Sequence, residues 1–256
     1  MDLSSSDPPV PPHYRGVWCR RQLRVGPMTR AEPIVDDSTW VHWLQTSVWH
    51  ADLRVPAGSS LSRDRCAQQG FAGVTQVEVT PQGERCTWHR RIDFQPPGEH
   101  ADVGWMRFET PDRLIEVGAL QDYDEIWERL PDSTGAYRVL AEYGADGRSV
   151  AGMWLLAGCW LMHVQPTHSP WPDDLQRGED LAALARRHPH QADVWLSTEI
   201  SFGRWQDGLW TIERSTQGAL EGQQFICAMR RDGPDEAAIA LAGTWRHARV
   251  LEWTEP

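Results

Sequence analysis

Two alternating stretches carry the residues best suited to acid–base chemistry. In the first, Trp49, Ala51, Leu53 and Val55 alternate with His50, Asp52 and Arg54. In the second, Trp88, Arg90, Ile92 and Phe94 alternate with His89, Arg91 and Asp93. Strand side chains point to opposite faces with a period of two, so each stretch has one apolar and one charged face. If the strands are neighbours with their charged faces inward, six ionisable groups converge. A carboxylate beside a histidine orients the ring and raises its basicity, and an arginine there holds a carboxylate or enolate oxygen. Such a set suits cofactor-free proton transfer, as in an isomerase, cyclase or hydro-lyase. The competing reading puts both charged faces in water, where most charged side chains lie. Period two alone does not say which face is inner.

The second half offers Ser197, Glu199 and Ser201 on one strand face, with His163 and Glu213 elsewhere. Glu199 shares its face with Trp195, and a carboxyl desolvated by an indole has a raised pKa and can act as an acid. The alternative is a polar cross-strand ladder on a solvated surface. No metal site is expected, because His188, His190, His163 and His168 lie in or beside loops without recognised ligand spacing. No cofactor is expected either, since no phosphate loop, dinucleotide fingerprint or nucleophile elbow occurs. A net charge of −11 disfavours nucleic acid and anionic membranes, and there is no apolar run of about 18 residues that would span a bilayer.

The chain holds 15 Trp against 5 Phe and 4 Tyr. Indoles bury a large flat surface and keep a donor N–H. They either fill β-barrel cores or line a pocket for a flat, apolar ligand. Trp43, Trp49, Trp88, Trp105, Trp154, Trp160 and Trp195 are the candidates for the second role.

The elements that would position these groups form a repeat. Trp40 to Pro56 reads as two strands and a tight turn, and Trp154 to Pro166 reads as a looser copy. Trp43 and Trp49 are spaced like Trp154 and Trp160, each strand stops at a proline, and His163 falls where Asp52 does. A repeat this long means two similar domains. Many short strands separated by turn residues suggest meandering antiparallel barrels. Helical spacing is expected over 123–130 and over 173–188, with a cap at Asp173 or Asp174. The division expected is a flexible lead-in over 1–14, a first barrel over 15–133 and a second over 134–256. The five cysteines, odd in number and without a CxxC pair, read as reduced thiols of a cytoplasmic protein, and the N-terminus does not resemble a secretory signal.

Gly16-Val17-Trp18 resembles the glycine–x–tryptophan opening of lipocalin barrels. The longer pattern of GVW, WLQT, HADLRVP, WHRRIDFQPP and YDEIWERL is similar to bacterial relatives of the fungal Hri protein family. That resemblance covers the first half well and the second in outline. It implies two lipocalin-like barrels in tandem with no assigned enzymatic activity, and it transfers no catalytic residues. The expectation is an all-β protein that encloses a small hydrophobic or aromatic molecule in a barrel or in the cleft between barrels. The alternatives are the cofactor-free enzyme and a protein-interaction module using the acidic surface and the 173–188 helix. Edge strands or exposed tryptophans would make a homodimer.

Overall fold

The computed structural model describes residues 7–26, 34–58 and 65–255. The first nine strands are β1 (Gly16–Val25), β2 (Ile34–Asp36), β3 (Trp40–Gln45), β4 (Trp49–Val55), β5 (Gln69–Thr80), β6 (Gly83–Asp93), β7 (Asp102–Thr110), β8 (Arg113–Gly118) and β9 (Tyr123–Arg129). They pair antiparallel in sequence, and β9 returns to β1, which closes a barrel of eight strands with short β2 added along the second half of β1. The next eight strands form a second closed meander: β10 (Tyr137–Tyr143), β11 (Val150–Ala157), β12 (Trp160–Gln165), β13 (Glu199–Gln206), β14 (Leu209–Ser215), β15 (Gln224–Arg231), β16 (Glu236–Leu241) and β17 (Thr244–Thr254). Closure satisfies the edges that an open sheet leaves exposed.

Two short helices, α1 (Leu181–Arg187) and α2 (Pro189–Trp195), lie between β12 and β13. The expected helix over 173–188 is thus shorter and starts later. Asp180 is its cap, its carboxylate accepting from the Ala183 N–H at 2.7 Å. Trp195, expected in a strand with Glu199, belongs to α2. The expected helix over 123–130 is strand β9. Its lumen face carries Glu125 and Trp127, and a buried glutamate disguised the period of two. Residues 1–6 of the expected lead-in lie outside the described residues. Further along it, Val10 and Tyr14 are buried, and the Val10 N–H donates to the Ser47 carbonyl at 2.7 Å.

Three apolar clusters hold the molecule together. Trp18, Trp43, Phe71, Trp88 and Trp127 lie in the first lumen. Trp154, Leu161, Trp210, Ile212 and Ile239 fill the second. The largest lies between the barrels, where Trp49, Ala51, Leu53 and Val55 of β4 join Leu155, Trp160, Ile200 and Phe202. The apolar face of β4 therefore packs on the neighbouring barrel, and its charged face is turned inward.

The repeat is visible in the strand register. Trp43 lies opposite Asp52 across β3–β4, and Trp154 lies opposite His163 across β11–β12. Both barrels also share a bulge. Gly73 pairs with Arg90 and Ala72 with Ile92, leaving Arg91 as the extra residue. Gly203 pairs with Ile212 and Phe202 with Arg214, leaving Glu213 extra. A Cβ on Gly73 would sit 1.9 Å from the His89 carbonyl oxygen, and one on Gly203 would sit 1.9 Å from the Thr211 carbonyl oxygen. Only glycine allows these backbones to approach so closely.

Gly73→Ala and Gly203→Ala are each expected to destabilise the fold by roughly 3–5 kcal/mol, the range of disruptive core changes. Denaturant melts read the loss. A cost below about 1 kcal/mol for either variant would show that the bulge can move aside.

A candidate binding site in the first barrel

A cavity of about 620 Å³ opens inside the first barrel. Trp43 of β3, Phe71 of β5, Trp88 of β6 and Trp127 of β9 supply its aromatic wall. The Trp43 ring stands nearly perpendicular to Trp88 (centroids 5.5 Å apart, 80°) and to Trp127 (6.0 Å, 75°). The polar wall comes from Asp52, Arg54, Arg90, Asp102, Glu116 and Glu125. A second hollow of about 490 Å³ shares Trp88, Arg90, Asp102, Gln121 and Tyr123 with the first, and reaches Trp171.

Most of these charges are matched. Arg54 donates to Asp52 at 2.8 Å. Arg90 donates to Asp102 at 2.6 Å and to Asp93 at 3.1 Å. Arg20 donates to Glu125 at 2.8 Å and to Asp36 at 3.0 Å. The Arg90 and Arg54 guanidinium carbons lie 3.7 Å and 5.3 Å from the Phe71 ring centroid, so Phe71 takes part in two cation–π contacts. Burial raises the Asp52 carboxyl although Arg54 opposes it. Burial likewise pushes Asp93 up to about 6 against the pull of Arg90. Glu116 and Glu125 lie opposite each other across β8–β9. Burial, and then the charges of Glu125 and Asp102, hold Glu116 well above the usual carboxylate range. Its one hydrogen bond among the described residues comes from the Tyr123 hydroxyl at 2.7 Å.

His50 is fully buried on the same face of β4, outside the residues that line the cavity. Its Nδ1 lies 2.9 Å from the Thr75 hydroxyl, which donates to Gln45 Oε1 at 2.7 Å. The Gln45 amide nitrogen donates to the Thr46 and Trp49 carbonyls, which fixes the orientation of the amide. Thr75 must therefore accept from His50, and Nδ1 carries the proton. Nε2 is then a bare acceptor with no partner among the described residues. Burial holds His50 well below its ordinary range, so the ring is neutral.

The six groups of the two charged strand faces do not all converge. Asp52 and Arg54 line the cavity, and His50 sits behind it. His89 is exposed and contacts Gln76 at 3.2 Å. Arg91 is the bulge residue, half-buried, with its guanidinium 5.2 Å from the Trp49 ring centroid. The bulge reverses the phase of β6, so Asp93 joins Arg90 while Ile92 and Phe94 enter the core between the barrels. Of the candidate tryptophans, Trp43 and Trp88 line the cavity. Trp49, Trp160 and Trp195 belong to the inter-barrel core. Trp105 is half-buried on β7, on the opposite face from Met106 of the lumen. Trp154 lies in the second lumen with its ring 3.9 Å from that of His163.

Glu199 accepts from His163 Nδ1 at 3.1 Å and from the Ser201 hydroxyl at 2.8 Å. Burial acts to raise its carboxyl, and these two hydrogen bonds outweigh it and leave the group below its usual range. The expected raised acid beside Trp195 is therefore absent. Sequence reasoning missed Arg90, Asp102, Glu116, Glu125 and Trp127. The available signal was Glu116 in register with Leu114, a charged residue on an otherwise apolar alternation.

No protein-family model matches the chain, and no curated protein matches it in sequence. Among solved structures, an uncharacterized protein from Saccharomyces cerevisiae is similar with a TM-score of 0.56 and 12% sequence identity. The likeness covers 93% of this chain and 98% of that one. At this identity it concerns the fold alone.

The neutral, buried His50 gives a pH signature. Its folded pKa is depressed, so the unfolded state binds more protons below its ordinary value of 6.5. Its contribution to stability is present above that value and is lost as pH falls. The wild type should therefore lose about 1.4 kcal/mol per pH unit more than His50→Gln between about pH 6 and pH 5, measured by urea melts. Parallel curves would mean that His50 is charged in the fold.

Proposed function

We propose that the first barrel encloses a small aromatic or apolar molecule, with polar groups of the same wall fixing its orientation. One observation carries this reading: a cavity of about 620 Å³ walled by Trp43, Phe71, Trp88 and Trp127. Its volume falls within the range of small-molecule sites, which are mostly apolar with a few convergent polar groups. The second barrel serves as the structural partner, since Trp154 and Trp210 occupy its lumen. The resemblance of the first-half motifs to the Hri family, and the tandem-barrel likeness to the yeast protein, support placing the chain in that family. Five free thiols support a reducing, cytoplasmic compartment.

A second reading, cofactor-free acid–base catalysis on the same guest, has one specific support. Asp93 and Glu116 keep their protons closer to neutrality than ordinary carboxyls, and Glu116 lines the cavity while Asp93 lines the adjoining hollow. Such groups can act as general acids. In that case Glu116→Gln stops turnover of the guest and leaves its binding intact.

Titration with N-phenyl-naphthylamine, a neutral fluorescent probe, tests the binding reading. Saturable one-to-one binding is expected. Trp88→Ala should weaken it about tenfold, the value of one good aromatic contact, and Trp160→Phe in the inter-barrel core should leave it unchanged. Absence of saturation, or equal effects of the two substitutions, rejects the site.

A further inference from the structure

The polar wall of the first lumen does not balance. Arg54 is taken by Asp52, Arg90 by Asp102 and Asp93, and Arg20 by Glu125 and Asp36. Each arginine thus has its carboxylate, and Glu116 has no cation within ion-pair distance among the described residues; its partner is the neutral Tyr123 hydroxyl. A buried carboxylate without a counter-ion is costly, and the usual result is that it keeps its proton. The fold nevertheless makes room for this side chain: a Cβ on Gly104 would lie 2.7 Å from the Glu116 Cγ and 2.8 Å from its Oε1. A second group of the same wall is also unmatched. Trp127 is 2% exposed, and its indole N–H has no acceptor among the described residues.

Glu116 and Trp127 line the same cavity as Trp43 and Trp88, and the Trp43 ring stands nearly perpendicular to those of Trp88 and Trp127. Indole faces attract cations through the ring quadrupole, and an aromatic corner with one carboxylate is the arrangement that recognises organic ammonium ions. Resting on the binding reading above, we infer that the guest is an organic cation: a protonated amine on an aromatic or apolar body. Its ammonium nitrogen takes Glu116 as counter-ion, and its body lies against Trp43, Trp88 and Trp127. An oxygen acceptor on the same molecule would satisfy the Trp127 N–H.

The assignment has a proton balance. Burial, the neighbouring carboxylates and the absence of a paired cation among the described residues favour the neutral acid form of Glu116 in the free protein. Binding of the ammonium ion converts it to the carboxylate, and the displaced proton goes to bulk water. Groups facing Glu116 are Arg54 from β4, Cys86 from β6, Asp102 from β7 and Tyr123 and Glu125 from β9, with Tyr14 beyond them. Only Arg54 is cationic, and it is already paired.

Three probes of one shape test the charge of the guest by calorimetry on the full chain near pH 8: naphthylmethylamine, naphthylmethanol and naphthoate. The amine is expected to bind about tenfold or more tightly than the alcohol, and the carboxylate more weakly than either. Glu116→Gln should erase the preference for the amine over the alcohol. Titrations in two buffers of different ionisation heat should show proton release with the amine and none with the alcohol, a readout that needs no variant. Binding of the alcohol or carboxylate as tight as that of the amine, or a preference for the amine that survives Glu116→Gln, overturns the cation and leaves the binding site standing. No saturable binding by any probe overturns both.

Discussion

The packing of β4 against the second barrel is the constraint from which the rest follows. Trp49, Leu53 and Val55 are large enough that burying each contributes about 1.5–3 kcal/mol, and the place that covers them is the neighbouring barrel. A strand has only two faces. With the apolar one committed to the inter-barrel core, His50, Asp52 and Arg54 have no choice but the lumen. A solitary barrel of the same sequence would have reason to turn the strand over. The second domain thus decides the chemistry inside the first.

A charged lumen needs internal compensation. Three arginines answer most of the carboxylates, and Phe71 lies in cation–π contact with Arg54 and Arg90. Removal of one member of such a pair is expensive, because the other charge is left in a medium that solvates it poorly. The bulge opposite Gly73 supplies part of this compensation. By adding Arg91 to β6 it sends Asp93 towards Arg90 and returns Ile92 and Phe94 to the apolar core. One residue of slip resolves a conflict that a regular strand could not.

The two barrels show how one plan takes different contents. Register and bulge coincide, with Trp43 opposite Asp52 in one barrel and Trp154 opposite His163 in the other. In the first, the carboxylate pairs with Arg54 beside an open cavity. In the second, the imidazole stacks on the indole and bonds to Glu199, which is bonded in turn to Ser201.

Much of this was legible in the residues alone. Alternation, turn residues and the spaced tryptophan pairs specify strands, hairpins and a duplicated all-β plan, because period two and turn chemistry are local properties of the chain. Asp52 and Arg54 stood out for the same reason. The sequence could not say which face of β4 was inner, since that depends on what the second barrel covers. Nor could it place His89 outside, bring Asp93 in, or read β9 as a strand; a bulge depends on the partner strand, and glutamates turned into a lumen look like solvent-facing residues until the barrel closes. Glu116 meets Glu125 across the β8–β9 hairpin. That the two glutamates share a lumen wall with Arg54 of β4, and that Glu116 has no paired cation there among the described residues, are properties of the closed ring, because strands as far apart in sequence as β4 and β9 share one wall only after β9 has joined β1.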